Sequence, residues 1–291
     1  MANQVTQTAV GPMVTVAVEQ TFPREKRLLD DEVAYQFLPF VGKLMVTLSR
    51  FPPVRSLLIG LTEGDSPGIW GGMLRRKRFI DDKVIDALKA GITTVVNLGA
   101  GWDTRAYRLP ALHRTRIFEV DLPETIAAKR TKLEQVFGRV PENVTLVPMD
   151  FDHQNLEEVL RSYGQRPEEK TFFIWEGVTQ YLTEAGVRQT FAFLAKAAVG
   201  SRLVFTYVQQ DFLDGTAQFG LSVRSQVVRV KDQLWRFGMK PEQIAAFLAE
   251  YGWREVEQMG SQEAATWYPM PSGRRLTASD IERAVYAEKI S

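Results

Sequence analysis

The sequence contains no cysteine, and only two histidines, His113 and His153, occur in its 291 residues. Without cysteine there is no disulfide, no thiolate nucleophile and no cysteine-bound metal. Two histidines are too few for a histidine cluster, so no metal site is expected. Excess charge is missing too: 36 Lys and Arg stand against 35 Asp and Glu, a formal net charge of +1. That balance gives no general attraction for a polyanion, and no nucleic-acid partner is expected. The first 23 residues lack Lys and Arg, so the basic start of a signal peptide is absent. No apolar run approaches the length of a membrane span. These absences together lead to the expectation of a cytoplasmic protein with no membrane partner.

What is present is a 45% hydrophobic chain, enough to fill a sizeable core. From about residue 76, short β-rich runs alternate with helical patterns, the α/β signature. Candidate strands are 94–98, 115–120, 144–149, 171–175 and 202–208, several of them apolar on both faces, as in a parallel sheet covered by helices. Ile80, Val84, Ala87 and Leu88 form one helical stripe with Gly91 behind it; Val187, Phe191, Leu194 and Ala198 form another with Gly200 behind it. Pro241 opens a helix whose Ile244, Phe247, Leu248 and Tyr251 share a face, and Gly252 closes it. Further strands are expected at 254–259 and 264–268. Right-handed crossovers stack these units into a doubly wound, mostly parallel sheet of seven strands. Residues 1–75, with Pro and Gly scattered through "FPPVRSLLIGLTEGDSPGIWGG", read as a helical N-terminal cap and substrate lid, and residues 76–291 as the main domain. An irregular, aromatic-rich insertion at about 209–240 reads as a lid.

The stretch "VVNLGAGWDTRAYRL", residues 95–109, carries the chemistry. In a doubly wound sheet the loop after the first strand meets a helix N-terminus, and glycine lets a ligand approach backbone amides with no Cβ in the way. Gly99 and Gly101 are placed for that. About 20 residues on, "IFEVD" puts Asp121 at the tip of the second strand, where a carboxylate can accept from ribose hydroxyls. A nucleoside-containing ligand is expected. Thr104 stands where a dinucleotide fingerprint wants its third Gly or Ala, which weakens a pyrophosphate reading. Asp121 has a second reading, as the cap of a helix starting near Pro123 with Glu124 in capping-box position. "GDSPG", residues 64–68, matches a nucleophile elbow but fails as one, because Pro67 has no N–H to give an oxyanion hole.

Taken in order, "VVNLGAGWDTRAYRL", "IFEVDLPETIAAKR", "PMDF" and "FFIWEGVTQYLTEAGV" resemble the leucine carboxyl methyltransferase family, within the class I S-adenosylmethionine-dependent methyltransferases. The bacterial branch most resembled includes polyketide O-methyltransferases of the tetracenomycin type. The resemblance implies S-adenosyl-L-methionine as cofactor and S-adenosyl-L-homocysteine as product. It also implies that Gly99, Ala100 and Gly101 lie against the methionine part, that Asp121, with Leu122 beside it, holds the ribose, and that Asp150 and Phe151 flank the adenine. Glu176 would sit near the cofactor's amino acid end, with a structural ion pair as its other reading. An arginine of "RRKRF" would meet the cofactor carboxylate, Arg75 in preference to Arg76, and Arg105 is a further anion-binding candidate with Asp103 as its partner.

The activity implied is O-methylation of a small-molecule acceptor, a carboxylate or a phenol. Tyr181 and Tyr207 are candidates to line the acceptor pocket, His153 is a candidate base, and Phe212, Phe219, Trp235 and Phe237 are candidates for an aromatic lining. Ordinary packing explains the aromatics equally, and surface placement is the favoured reading of His153. The rival readings are methylation of a protein's terminal carboxylate, a NAD-dependent oxidoreductase, and a nucleoside-binding protein without catalysis.

Overall fold

Five strands, Thr94–Leu98 (β1), Arg116–Asp121 (β2), Val144–Pro148 (β3), Thr171–Trp175 (β4) and Arg202–Gln209 (β5), run parallel, and β1 and β4 are buried at every position. The computed structural model describes residues 10–151, 153–221, 234–271 and 273–291. The sheet also holds the short Gly238–Met239 (β6), Trp253–Met259 (β7) and Glu282–Lys289 (β8), and its order is β3-β2-β1-β4-β5-β8-β7 with β6 paired to the end of β5. β8 lies antiparallel between β5 and β7. The five strands expected first all form, as does 254–259. The expected strand 264–268 is instead helical: the Glu263 carboxylate accepts the Gly260 N–H and starts the helix Ser261–Trp267. The seventh long strand is 282–289, whose Ala284, Val285, Tyr286 and Ala287 are buried, although its charged ends hide the pattern.

The helices among the described residues are Val10–Glu19 (α1), Ala34–Phe37 (α2), Phe40–Leu48 (α3), Pro52–Asp65 (α4), Ile69–Lys89 (α5), Arg105–Arg108 (α6), Pro123–Phe137 (α7), Leu156–Ser162 (α8), Glu184–Leu194 (α9), Gln210–Leu213 (α10), Ile244–Glu250 (α11) and Ser261–Trp267 (α12). The Pro- and Gly-rich stretch of the expected helical cap forms α4 and the start of α5. Pro52 and Pro53 fall in the first turn of α4, where their fixed φ suits the helix and no N–H is missed. The break before α5 is fixed by Gly68, at φ +76°, where a Cβ would come within 2.4 Å of the Ser279 nitrogen. α5 runs unbroken through residue 75, and Val16, Leu29 and Phe37 share one core with Ile80, Val95 and Phe172, so the N-terminal helices are packed onto the sheet. Alternate residues of the same strands, Val96, Leu98 and Phe173, build the opposite core with Phe191 and Leu248.

The chain goes outward from β1 to β2 and β3, then crosses back to β4 on the other side of β1. Where strand order reverses in this way, the carboxyl ends of β1 and β4 leave a crevice between diverging loops, the place where such sheets take ligands.

Candidate functional site at the carboxyl edge of the sheet

Both loops at that crevice are built from residues of the quoted motifs. After β1 the Gly99 and Ala100 amides both donate to the Val120 carbonyl, at 2.8 and 3.0 Å, which folds the loop over the end of β2. Gly99 adopts φ +70° and Gly101 φ +41°. The two glycines serve different ends. A Cβ at Gly99 would lie 2.3 Å from a Val178 methyl, whereas a Cβ at Gly101 would meet nothing within 4 Å, so the backbone there bounds open space. Asp121 closes the loop from the other strand: Oδ2 accepts the Gly101 N–H and Oδ1 the Leu122 N–H, each at 2.7 Å. Leu122, not Asp121, is the residue that precedes the first turn of α7. Burial pushes the Asp121 carboxyl above its usual range, against the pull of those two amides.

Behind the loop lies a connected set of buried charges. Glu176, the residue after β4, takes Arg76 Nε and Arg105 at 2.8 Å and Lys77 Nζ at 3.2 Å. Arg105 also pairs with Asp103 and, at 2.7 Å, with Asp81. Arg108 joins Asp81 at 2.8 Å to Asp31 at 3.1 Å, and Arg76 reaches Glu282. Burial works against the ionised carboxyls, but Arg105 and Lys77 outweigh it at Asp103 and hold that group at about 2. Lys77, Arg105 and Arg76 likewise hold Glu176 well below the carboxylate range. Four cations, Arg76, Lys77, Arg105 and Arg108, thus face five carboxylates, those of Asp31, Asp81, Asp103, Glu176 and Glu282.

The sequence model of leucine carboxyl methyltransferases matches residues 9–195, which contain both loops and the cofactor-side residues just described. The chain belongs to the leucine carboxyl methyltransferase family. A protein of Mycobacterium avium, provisionally named an S-adenosyl-L-methionine-dependent methyltransferase, is 32% identical over 217 residues, covering 73% of this chain and 69% of its own. A similarly named protein of a Parafrankia species is 30% identical over 244 residues, covering 80% and 72%. Two solved structures share the fold. One is a methyltransferase-like protein of Thermobifida fusca (TM-score 0.56, 17% identity, 82% of this chain and 89% of that one). The other is a DUF574 family protein of Streptomyces avermitilis (TM-score 0.53, 14% identity, 94% and 96%). The chain is an S-adenosylmethionine-dependent methyltransferase of class I fold, and the oxidoreductase alternative finds no support among these relatives.

In this methyltransferase several expected site residues stand where the motifs placed them and others do not. Gly99, Ala100, Gly101, Asp121, Leu122 and Glu176 converge at the crevice. Asp150 and Phe151 follow β3 at the same edge; His153 Nδ1 lies 2.9 Å from Asp150 Oδ2 with its ring 78% exposed, so the candidate base is a surface side chain. Arg75 turns away from the crevice: its three guanidinium nitrogens donate to the carbonyls of Tyr268, Leu276 and Thr277 at 3.0 to 3.1 Å. Arg76, a third of a turn on, is the arginine facing Glu176. Tyr207 is fully buried and its hydroxyl donates to Gln258 at 2.7 Å, which makes it a core residue and not a pocket wall. Phe212, Phe219 and Trp235 form a small cluster of their own with Leu221 and Ile281, while Phe237 joins the main core. The Arg236 N–H donates to the Gln180 carbonyl, so this return of the lid segment is tied to the loop that carries Tyr181. The middle of the expected lid, residues 222–233, lies outside the described residues.

Sequence reasoning missed Asp31, Asp81, Arg108 and Glu282. A signal existed for two of them. Lys77 and Asp81 stand four apart on α5, and Arg105 and Arg108 three apart on α6, the spacings that put charges on one helix face.

Proposed function

We propose that the protein transfers the methyl group of S-adenosylmethionine to an oxygen of a small-molecule acceptor, a carboxylate in preference to a phenol. One observation carries the choice. Among the described residues, Glu176, Asp103 and Asp121 at the crevice are engaged with cations or backbone amides, His153, the candidate base, is a surface ring, and of the candidate pocket tyrosines Tyr207 donates its hydroxyl to Gln258 in the core, which leaves Tyr181 on the loop after β4. A carboxylic acid with a pKa of about 4 is already ionised at neutral pH and needs no base, whereas a phenol near about 10 needs one. The family's name points to a carboxyl acceptor as well.

In this reading Gly101 admits the methionine part of the cofactor against bare backbone, and Asp121 keeps acceptor capacity for a ribose hydroxyl beyond the amides it holds. Asp150 and Phe151 flank the adenine. Arg76 and Lys77, steadied by Glu176, take the place expected of Arg75 beside the cofactor's carboxylate. The cofactor supplies an electrophilic sulfonium methyl, and the chain's part is to hold the acceptor oxygen in line with it and to exclude water. The test is transfer of labelled methyl to a panel of carboxylic acids and phenols, followed by mild alkali. Alkali-labile label on small acids is expected from an ester. Alkali-stable label confined to phenols overturns the preference, and labile label on protein carboxyl termini moves the acceptor to the peptide class.

A further inference from the structure

Among the described residues, the most exposed large apolar side chains are gathered on two consecutive helices, α3 and α4. Phe40, Val41 and Leu44 on α3, Phe51 at the corner, and Leu57 and Leu61 on α4 all face solvent, Phe40 at 80% and Leu61 at 67% exposure. The spacings 40, 44 and 54, 57, 61 put each set on one helix face, so both helices turn their apolar stripes outward. α4 buries none of its 14 residues fully. A contiguous apolar surface of this size marks an interaction site.

The charges of the same stretch choose the partner. From residue 40 to residue 62 the ionisable side chains are Lys43, Arg50 and Arg55, and the first acid, Glu63, is turned inward onto the amides of Gly68 and Trp70 at 2.8 and 2.9 Å. Arg55 stacks on Phe22 at 3.9 Å and donates to the Thr21 carbonyl at 2.9 Å, Lys43 lies over Tyr35 at 5.9 Å, both half-buried, and Arg50 is exposed. Lys132 on α7 adds a cation beside Lys43: burial first, and then the Lys43 charge, press its pKa down. Exposed apolar side chains interspersed with cations over residues 40–62, ahead of the acids Glu63 and Asp65 at the end of α4, are the pattern of an in-plane membrane helix. A second copy of the chain fits less well, because two-fold pairing sets the same cations against each other. Neither helix alone is long enough to span. At 1.5 Å per residue α3 and α4 are about 14 and 21 Å long, short of a hydrocarbon core of about 30 Å, and they bend 118° from one another.

We propose that α3 and α4 form a docking face that lies in the surface of an anionic bilayer. This departs from the expectation of no membrane partner, which rested on the absence of a spanning run; an in-plane pair needs none. The test is flotation of the whole protein with phosphatidylcholine vesicles and with vesicles containing phosphatidylglycerol, at low and high salt, beside sedimentation of the protein alone. Wild type is expected to partition at least about tenfold more strongly onto the anionic vesicles, with loss in high salt. Phe40→Ser/Leu57→Ser/Leu61→Ser, with an unchanged melting temperature, should lower that partition by about a hundredfold, and Lys43→Gln/Arg50→Gln by about tenfold. Wild type that stays with neither vesicle, or binds both equally, overturns the proposal without reference to any variant. A dimer that the triple substitution converts to monomer overturns it in favour of self-association.

Discussion

Glu176 is where the buried charge network is most exposed to attack, and Glu176→Gln puts a magnitude on it. The substitution keeps shape and hydrogen-bonding capacity but removes the charge that Arg76, Lys77 and Arg105 share at 2.8, 3.2 and 2.8 Å, in a side chain only 7% exposed. Removing one partner of a buried ion pair costs about 3–5 kcal/mol because the other charge is left without compensation. Arg105 retains Asp81 and Asp103, and Arg76 retains Glu282, so the expected loss lies at about 3 kcal/mol, the lower end of that range. At roughly 2–4 °C per kcal/mol for a domain of this size class, the melting temperature should fall by about 6–12 °C at neutral pH. The pH dependence identifies the cause. Glu176 titrates lower in the folded chain than its ordinary 4.5, so its contribution is complete above that value and is lost as pH falls below it toward the folded pKa. The gap between wild type and variant should therefore narrow in acid. A fall under about 1 °C, or a gap that stays constant from neutral pH into acid, refutes the network as the reason Glu176 is charged.

Asp121→Asn should weaken S-adenosylmethionine binding by about 1–3 kcal/mol in calorimetry while leaving the melting temperature within a few degrees; unchanged affinity reduces Asp121 to a clasp on the loop. Gly101→Ala meets no neighbouring atom, so beyond the strain of its φ of +41° it should act on cofactor binding, whereas Gly99→Ala adds a collision with Val178 to the strain of its φ of +70° and should lower the melting temperature further; equal behaviour of the two would dismiss the division of labour. Arg76→Met should raise the dissociation constant for the cofactor as well as lower stability, since Glu176 and Glu282 lose a cation, while Arg75→Met should lower stability alone by removing the donors to three backbone carbonyls; in paired calorimetry and melting curves, cofactor affinity lost in Arg75→Met and kept in Arg76→Met restores Arg75 as the cofactor's arginine. Tyr207→Phe should cost about 1 kcal/mol in denaturant unfolding for its bond to Gln258, with turnover unaltered, and a large loss of turnover returns it to the acceptor pocket.

What the sequence by itself determined is what depends on short-range periodicity. Runs such as "TVVNL" and "TFFIW" are apolar on both faces, which only a covered parallel strand tolerates, and helical stripes between them force right-handed crossovers. From that alternation the position of the glycine loop and of Asp121 at neighbouring strand ends follows, since β1 and β2 pair residue for residue. Tertiary structure decided what depends on direction and on distant partners. Arg75 and Arg76 are consecutive, yet successive residues on a helix point about 100° apart, so one is tied to the C-terminal segment and the other to Glu176 and Glu282. Asp31 and Glu282 stand far from the motifs in the chain, and only the packing of the segment before α2 and of β8 brings them to Arg108 and Arg76. β8 itself enters the sheet between β5 and β7 because its buried centre matches a gap that those strands leave, a match no local pattern records. The outward apolar faces of α3 and α4 belong to the same class. Their periodicity is that of any amphipathic helix, and which side meets solvent is settled by the helices beside them.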